Sequence, residues 1–126
     1  MEEVKGKSLI YMKILETIFW LLVAHFIADY PLQSSEMGKY KNKRNQPLPP
    51  DSKAKPVSVW FAYMTAHAFV HAGLVGLVVG WELGLLLGFC HWIQDYIKCR
   101  YQYSPNIDQI IHILVLILIA MIKVYA

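Results

Sequence analysis

Four apolar stretches, separated by polar segments, divide the chain. The first runs from about Leu9 to Tyr30 and is densest over Ile18–Ala28. The second covers Val57–Gly80, the third Leu83–Ile97, and the fourth about Ile107–Tyr125. A helix that crosses a bilayer needs ~20 mainly apolar residues at a rise of about 1.5 Å each. The first two stretches meet that length, and the third and fourth meet it when their polar ends are counted. From Ile113 to Ile122 the fourth is apolar around its whole circumference, as contact with lipid or a deep core requires. No strand-like alternation competes with these patterns. They predict an all-α fold, a four-transmembrane-helix bundle, forming a single domain over residues 1–126 with a basic, proline-rich loop at 34–56.

Composition agrees: 56% of the 126 residues are apolar and 17% are charged. That balance excludes disorder and a collagen-like chain, and the length excludes a multidomain enzyme. Val57–Trp92 holds a single charge, Glu82. Lys5, Lys7 and Lys13 precede an apolar run, as in a secretory signal, but Glu16, His25 and Asp29 interrupt that run and no clean cleavage site ends it. A retained first helix is expected, ended or kinked at Pro31. The loop carries Lys39, Lys41, Lys43, Arg44, Lys53 and Lys55 against Glu36 and Asp51, and the last connection adds Lys98 and Arg100. Lys5, Lys7, Lys13 and Lys123 fall on the other side. The positive-inside bias then predicts a multi-pass inner-membrane protein with these loops in the cytoplasm and both termini outside. A net charge of +3 is too weak to suggest nucleic acid, whereas the basic loop suits an anionic lipid surface, a host partner or plain solvent. Cys90 and Cys99 read as free thiols. Trp60, Trp92, Tyr96, Tyr101 and Tyr103 read as anchors at the membrane interface. Gly76, Gly80, Gly84 and Gly88 recur every fourth residue, which allows close backbone approach in a tight hairpin or in a homo-oligomer.

The histidines and aspartates change the picture most. His25 and Asp29, His67 and His71, His91 and Asp95, and Asp108 and His112 are each four residues apart, one pair per apolar stretch. Residues at i and i+4 share a helix face. If positions were independent, the odds that all five histidines had such a partner would be about one in ten thousand. All four pairs can meet in the cytoplasmic half of one bundle, which is how helical bundles build metal sites. Imidazole and carboxylate suit a divalent transition metal, zinc first, with iron or manganese as alternatives. The eight candidate ligands are His25, Asp29, His67, His71, His91, Asp95, Asp108 and His112, enough for one or two ions. A hydrogen-bonded polar core without metal is the competing reading. Gln33 and Gln109 flank the site and could bind a ligand. Lys98 follows Asp95 by three, so it either pairs with that carboxylate or binds phosphate.

Taken together, HFIADYPLQS at 25–34, HAFVH at 67–71, HWIQDYIK at 91–98 and DQIIH at 108–112 resemble a family of small bacterial and phage membrane proteins grouped as a domain of unknown function. That family's pattern is His-x3-Asp-x2-Leu-Gln, His-x3-His, His-x3-Asp-x2-Lys and Asp-Gln-x2-His, and all four blocks match in order. The stretch Asn45–Pro56 is longer than the resemblance implies. The family implies no settled activity.

The residues therefore predict an integral membrane metalloprotein. The leading expectation is a metal-dependent hydrolase acting on a lipid or phosphorylated substrate. Asp29, Asp95, Asp108 and Lys98 are its candidate catalytic groups, because an uncoordinated carboxylate can act as base and a lysine can hold an anionic oxygen. No Ser-His or Cys-His signature favours covalent catalysis. The alternative is a metal or proton transporter, or a metal-stabilised scaffold.

Overall fold

A computed structural model describes residues 1–50 and 55–126. The fold is all-α: α1 (Glu2–Asp29), α2 (Ser35–Tyr40), α3 (Trp60–Val79), α4 (Trp81–Tyr101) and α5 (Pro105–Tyr125). The four long helices coincide with the four apolar stretches; α1, α4 and α5 extend further into polar sequence, whereas α3 starts three residues after the start of its stretch. α1 starts seven residues earlier than its apolar content suggests, with Glu2 and Glu3 in its first turn, where acidic side chains oppose the helix dipole. It stops at Asp29, two residues before Pro31, as expected. Ser104 caps α5 by accepting from the Ile107 N–H at 3.3 Å, and Pro105 supplies the first turn. Three helices, α1, α3 and α5, are long and apolar enough to cross a membrane. α4 is of similar length, but Glu82, Asp95, Lys98 and Arg100 lower its apolar content.

The four long helices alternate in direction and form a ring in the order α1, α3, α4, α5, each packed on its two neighbours. Each inward face is an i, i+4 series that changes character along its length. On α3 the series is His67, His71, Val75, Val79; on α4 it is Leu87, His91, Asp95; on α5 it is Asp108, His112, Leu116, Ala120. On α1 it is Leu21, His25 and then the half-buried Asp29. One half of the interior is therefore apolar, around Leu21, Val75, Leu87 and Leu116, and the other half holds the histidines and aspartates. Outward faces carry the large apolar side chains: Leu77 is 85% exposed, Phe89 66% and Phe69 61%. An outer surface this apolar around a charged interior inverts the usual soluble arrangement and marks a lipid or partner surface.

The glycine series builds the α3/α4 hairpin. Gly80 alone joins the helices, at φ +102°, a conformation that side chains rarely adopt. A Cβ on Gly84 would collide with the Ala72 carbonyl and lie 2.7 Å from Gly76 Cα. One on Gly88 would lie 2.7 Å from Ala72 Cβ. The close approach is used within the chain, between α3 and α4.

The loop at 34–56 is more structured than its composition suggests. Ser34 caps α2 through the Met37 N–H at 3.1 Å. Gln46 then ties the following segment to α3. Its Oε1 accepts from the Val59 and Trp60 N–H groups at 2.7 and 2.9 Å, and its Nε2 donates to the Asn42 carbonyl at 2.7 Å. The basic position Lys53 and the acidic Asp51 of this loop lie outside the described residues.

Candidate metal centre

All eight sequence-predicted ligands converge at the end of the bundle where α1 and α4 finish and α3 and α5 begin. The i, i+4 spacing makes this possible, because each helix then presents two of them to the axis in successive turns. His67 and His71 are 1% and 0% exposed, so neither faces solvent.

Six of the eight form two overlapping clusters whose ligand atoms lie within 4.8 Å of one another. Asp29, His67, His71 and His91 make one; His91, Asp95 and His112 make the other. In the first, Asp29 Oδ1 is 2.9 Å from His71 Nε2 and 3.3 Å from His67 Nε2, and the His71 and His91 rings stack at 3.5 Å. In the second, Asp95 Oδ1 is 3.5 Å from His112 Nε2, and Asp95 Oδ2 is 3.7 Å from His91 Nε2. His25 and Asp108 stand beside the clusters. His25 Nε2 lies 3.0 Å from Gln109 Oε1 and 3.3 Å from Asp29 Oδ2. Asp108 Oδ1 lies 3.3 Å from His112 Nε2. These two contacts suit supports that orient ligands.

The donor set fits a cation. Buried polar atoms nearly always find a hydrogen-bond partner, yet Nε2 of His67 and of His91 has none and is shielded from solvent, as is Nδ1 of both His67 and His71. Two unpartnered imidazole nitrogens beside one carboxylate, in a ligand set of nitrogen and oxygen without sulfur, match the preferences of zinc and its neighbours.

Two lysines reach the carboxylates. Lys98 pairs with Asp108 at 2.6 Å and not with Asp95, its neighbour on the same helix. Lys41 pairs with Asp95 Oδ2 at 2.5 Å and is itself buried. Sequence reasoning missed Lys41, which sits among Lys39, Lys43 and Arg44 with nothing local to distinguish it. Gln109 behaves as expected of a flanking amide, donating to Asp29 Oδ2 at 3.2 Å. Gln33 donates to the Asp29 carbonyl at 3.2 Å and leaves its own Oε1 buried without a partner. A cleft of about 470 Å³, open on one side, reaches Asp29, Asp95 and Asp108 past Lys41 and Lys98. The carboxylates therefore line the mouth and the histidines lie behind them.

Three of the aromatic residues, Trp60, Trp92 and Tyr96, form one connected cluster. Trp92 stacks on Tyr96 at 5.5 Å and 10°, and Trp60 lies 6.3 Å from Trp92. Lys43 Nζ sits 4.2 Å from the Trp60 ring centre. Cys90 and Cys99 are free and half-buried.

No curated protein and no solved structure matches the chain. Residues 17–126 match the family described as "Protein of unknown function (DUF3307)". The matched region begins inside α1 and includes every cluster residue, and the chain belongs to this family.

Proposed function

We propose that this chain is an integral membrane metalloprotein, a four-transmembrane-helix bundle of α1, α3, α4 and α5, that hydrolyses a lipid or phosphorylated substrate. The observation that carries the reading is the cluster Asp29, His67, His71 and His91, with two buried imidazole Nε2 atoms lacking any hydrogen bond. Ionisable groups inside membrane helices are costly and are retained for function. The apolar outer faces support the bilayer setting, and the basic loops support a cytoplasmic site with the termini outside.

In this reading the first cluster holds one divalent ion, zinc by preference. Such an ion supplies a nucleophile at neutral pH and neutralises charge that develops on an ester oxygen. Lys41 serves as a fixed positive charge at Asp95, where a second ion would otherwise sit. Asp108 lines the cleft outside both clusters, and it becomes the carboxylate free to take a proton when Lys98 Nζ turns from it to hold an anionic oxygen of the substrate. Asp29 would be a ligand beside His67 and His71, while its Oδ2 faces His25 at 3.3 Å.

A second reading, a metal or proton path in a transporter, is supported by the close packing of His and Asp side chains from Asp29 through His71 and His91 to Asp95, His112 and Asp108. Elemental analysis of the purified protein separates the possibilities. About one zinc, iron or manganese per chain is expected, falling to near zero in His67→Ala and His91→Ala. Wild-type protein free of transition metal would overturn the metalloprotein reading. Stoichiometric metal without turnover of any phosphoester or lipid ester would move the assignment to transport.

A further inference from the structure

Two separate cavities lie along α3 and α4, one of them also lined by the segment after α2. The first, about 440 Å³, is lined by Lys43, Arg44 and Arg100 together with Trp60 and Tyr96. Lys43 Nζ lies 4.2 Å from the Trp60 ring centre and 5.5 Å from that of Tyr96. The Arg44 guanidinium donates to the Arg100 backbone carbonyl at 3.0 Å, which ties the segment after α2 to the end of α4. Among the described residues the lysine and arginine ion pairs are Lys7–Glu3, Lys41–Asp95 and Lys98–Asp108. Lys43, Arg44 and Arg100 thus bring three positive charges to one cavity with no carboxylate lining it.

The second cavity, about 530 Å³, is apolar and lies between the outward edges of α3 and α4, over Ala68, Ala72 and Gly88 and flanked by Phe69 and Phe89. It exists because the hairpin interface is built from small residues. Trp92 lines this cavity, and its ring contacts those of Tyr96 and Trp60, which line the first. A cationic end and an apolar groove are joined across one aromatic wall.

We propose that this face holds one phospholipid of net negative charge, with its phosphate among Lys43, Arg44 and Arg100 and one acyl chain along the Ala68–Ala72–Gly88 groove. Guanidinium groups match phosphate oxygens in a planar fork, and the lysine adds a compact charge. Aromatic side chains with one apolar and one polar edge belong at headgroup depth, where such a lipid changes from charged to apolar. A free phosphate would use the cations but leave the groove without purpose. The inference rests on the membrane reading above, not on the metal. It names the substrate class of the proposed reaction, because Lys41 lines both this cavity and the cleft to the carboxylates. A seated headgroup is then one side chain away from Asp95.

The test uses full-length protein in phosphatidylcholine nanodiscs with Trp20→Phe and Trp81→Phe, leaving Trp60 and Trp92 as reporters. Titration with phosphatidylglycerol brominated on its acyl chains is expected to quench their emission saturably at about one lipid per chain. Brominated phosphatidylcholine is expected to quench only in proportion to its bulk fraction. Lys43→Gln/Arg44→Gln/Arg100→Gln changes only exposed side chains and is expected to weaken binding by about tenfold or more, since each cation at an anionic surface contributes a factor of about five. Equal binding by the triple variant, or equal quenching by both lipids, would overturn the proposal and leave ordinary lipid contact. Full displacement by millimolar glycerol 3-phosphate would overturn it in favour of a soluble phosphate ligand. His67→Ala is expected to bind the lipid as wild type does, so loss of metal and loss of lipid are scored separately.

Discussion

Replacing Lys41 by methionine is expected to destabilise the metal-free protein by about 3–5 kcal/mol, the range for removing one member of a buried ion pair. The ammonium lies 2.5 Å from Asp95 Oδ2, and both side chains are nearly inaccessible, at 11% and 3%. Methionine keeps the length and the apolar stem but leaves the carboxylate facing only imidazoles. Denaturant titration of chelator-treated protein in detergent measures the loss. Two further results identify the cause. Lys41→Met/Asp95→Asn should recover most of the stability, because the uncompensated charge is gone. Adding zinc to Lys41→Met should raise the bound metal from about one to two per chain, because His91, Asp95 and His112 would then form a second set without a resident cation. A single variant within about 1 kcal/mol of wild type would show that Asp95 does not need Lys41.

Gly84→Ala is expected to cost about 3 kcal/mol, at the upper end for overpacking. The added methyl would meet backbone, the Ala72 carbonyl and Gly76, and not the movable end of a side chain. Relief requires α3 and α4 to separate along their length, which also moves His67 and His71 away from His91. The substitution should therefore lower the thermal midpoint and weaken metal retention together. Gly73→Ala is the control. Nothing lies within 4 Å of its added Cβ, so higher helix propensity should leave stability unchanged or raise it by up to about 1 kcal/mol. Equal midpoints for Gly84→Ala and Gly73→Ala would mean that the hairpin is not packed this closely.

How much of the fold and site is legible in the sequence follows from the range of the forces involved. Spacing of four along a helix is a local property, so the four His/Asp pairs and their shared destination are readable from the residue order alone. The end of α1 before Pro31 is equally local. Lys41 is invisible at that level because its partner, Asp95, is 54 residues away and its neighbours carry the same charge. The short α2, the Gln46 bridge and the Arg44–Arg100 contact hold that segment over the bundle end. The partner of Lys98 is hidden for a related reason. Asp95 is closer in sequence, but α5 starts beside the end of α4 and offers Asp108 at 2.6 Å. Separating ligands from supports also needs three dimensions, since His25 and Asp108 obey the same spacing as the rest yet fall outside both clusters.

With only Gly80 between them, α3 and α4 have no polar loop that could rest at a membrane surface between two separate insertion events. In the four-span arrangement they would enter the bilayer as one folded hairpin, led by a tip whose single charge is Glu82. α4 alone is a poor candidate for insertion, because its carboxylates, histidine and two basic residues offset its apolar content. As half of a hairpin it is carried by α3, and its polar face is already turned toward His67 and His71 when it leaves water. In that arrangement the one-residue turn would allow a polar centre to be assembled inside lipid without either helix crossing unpaired.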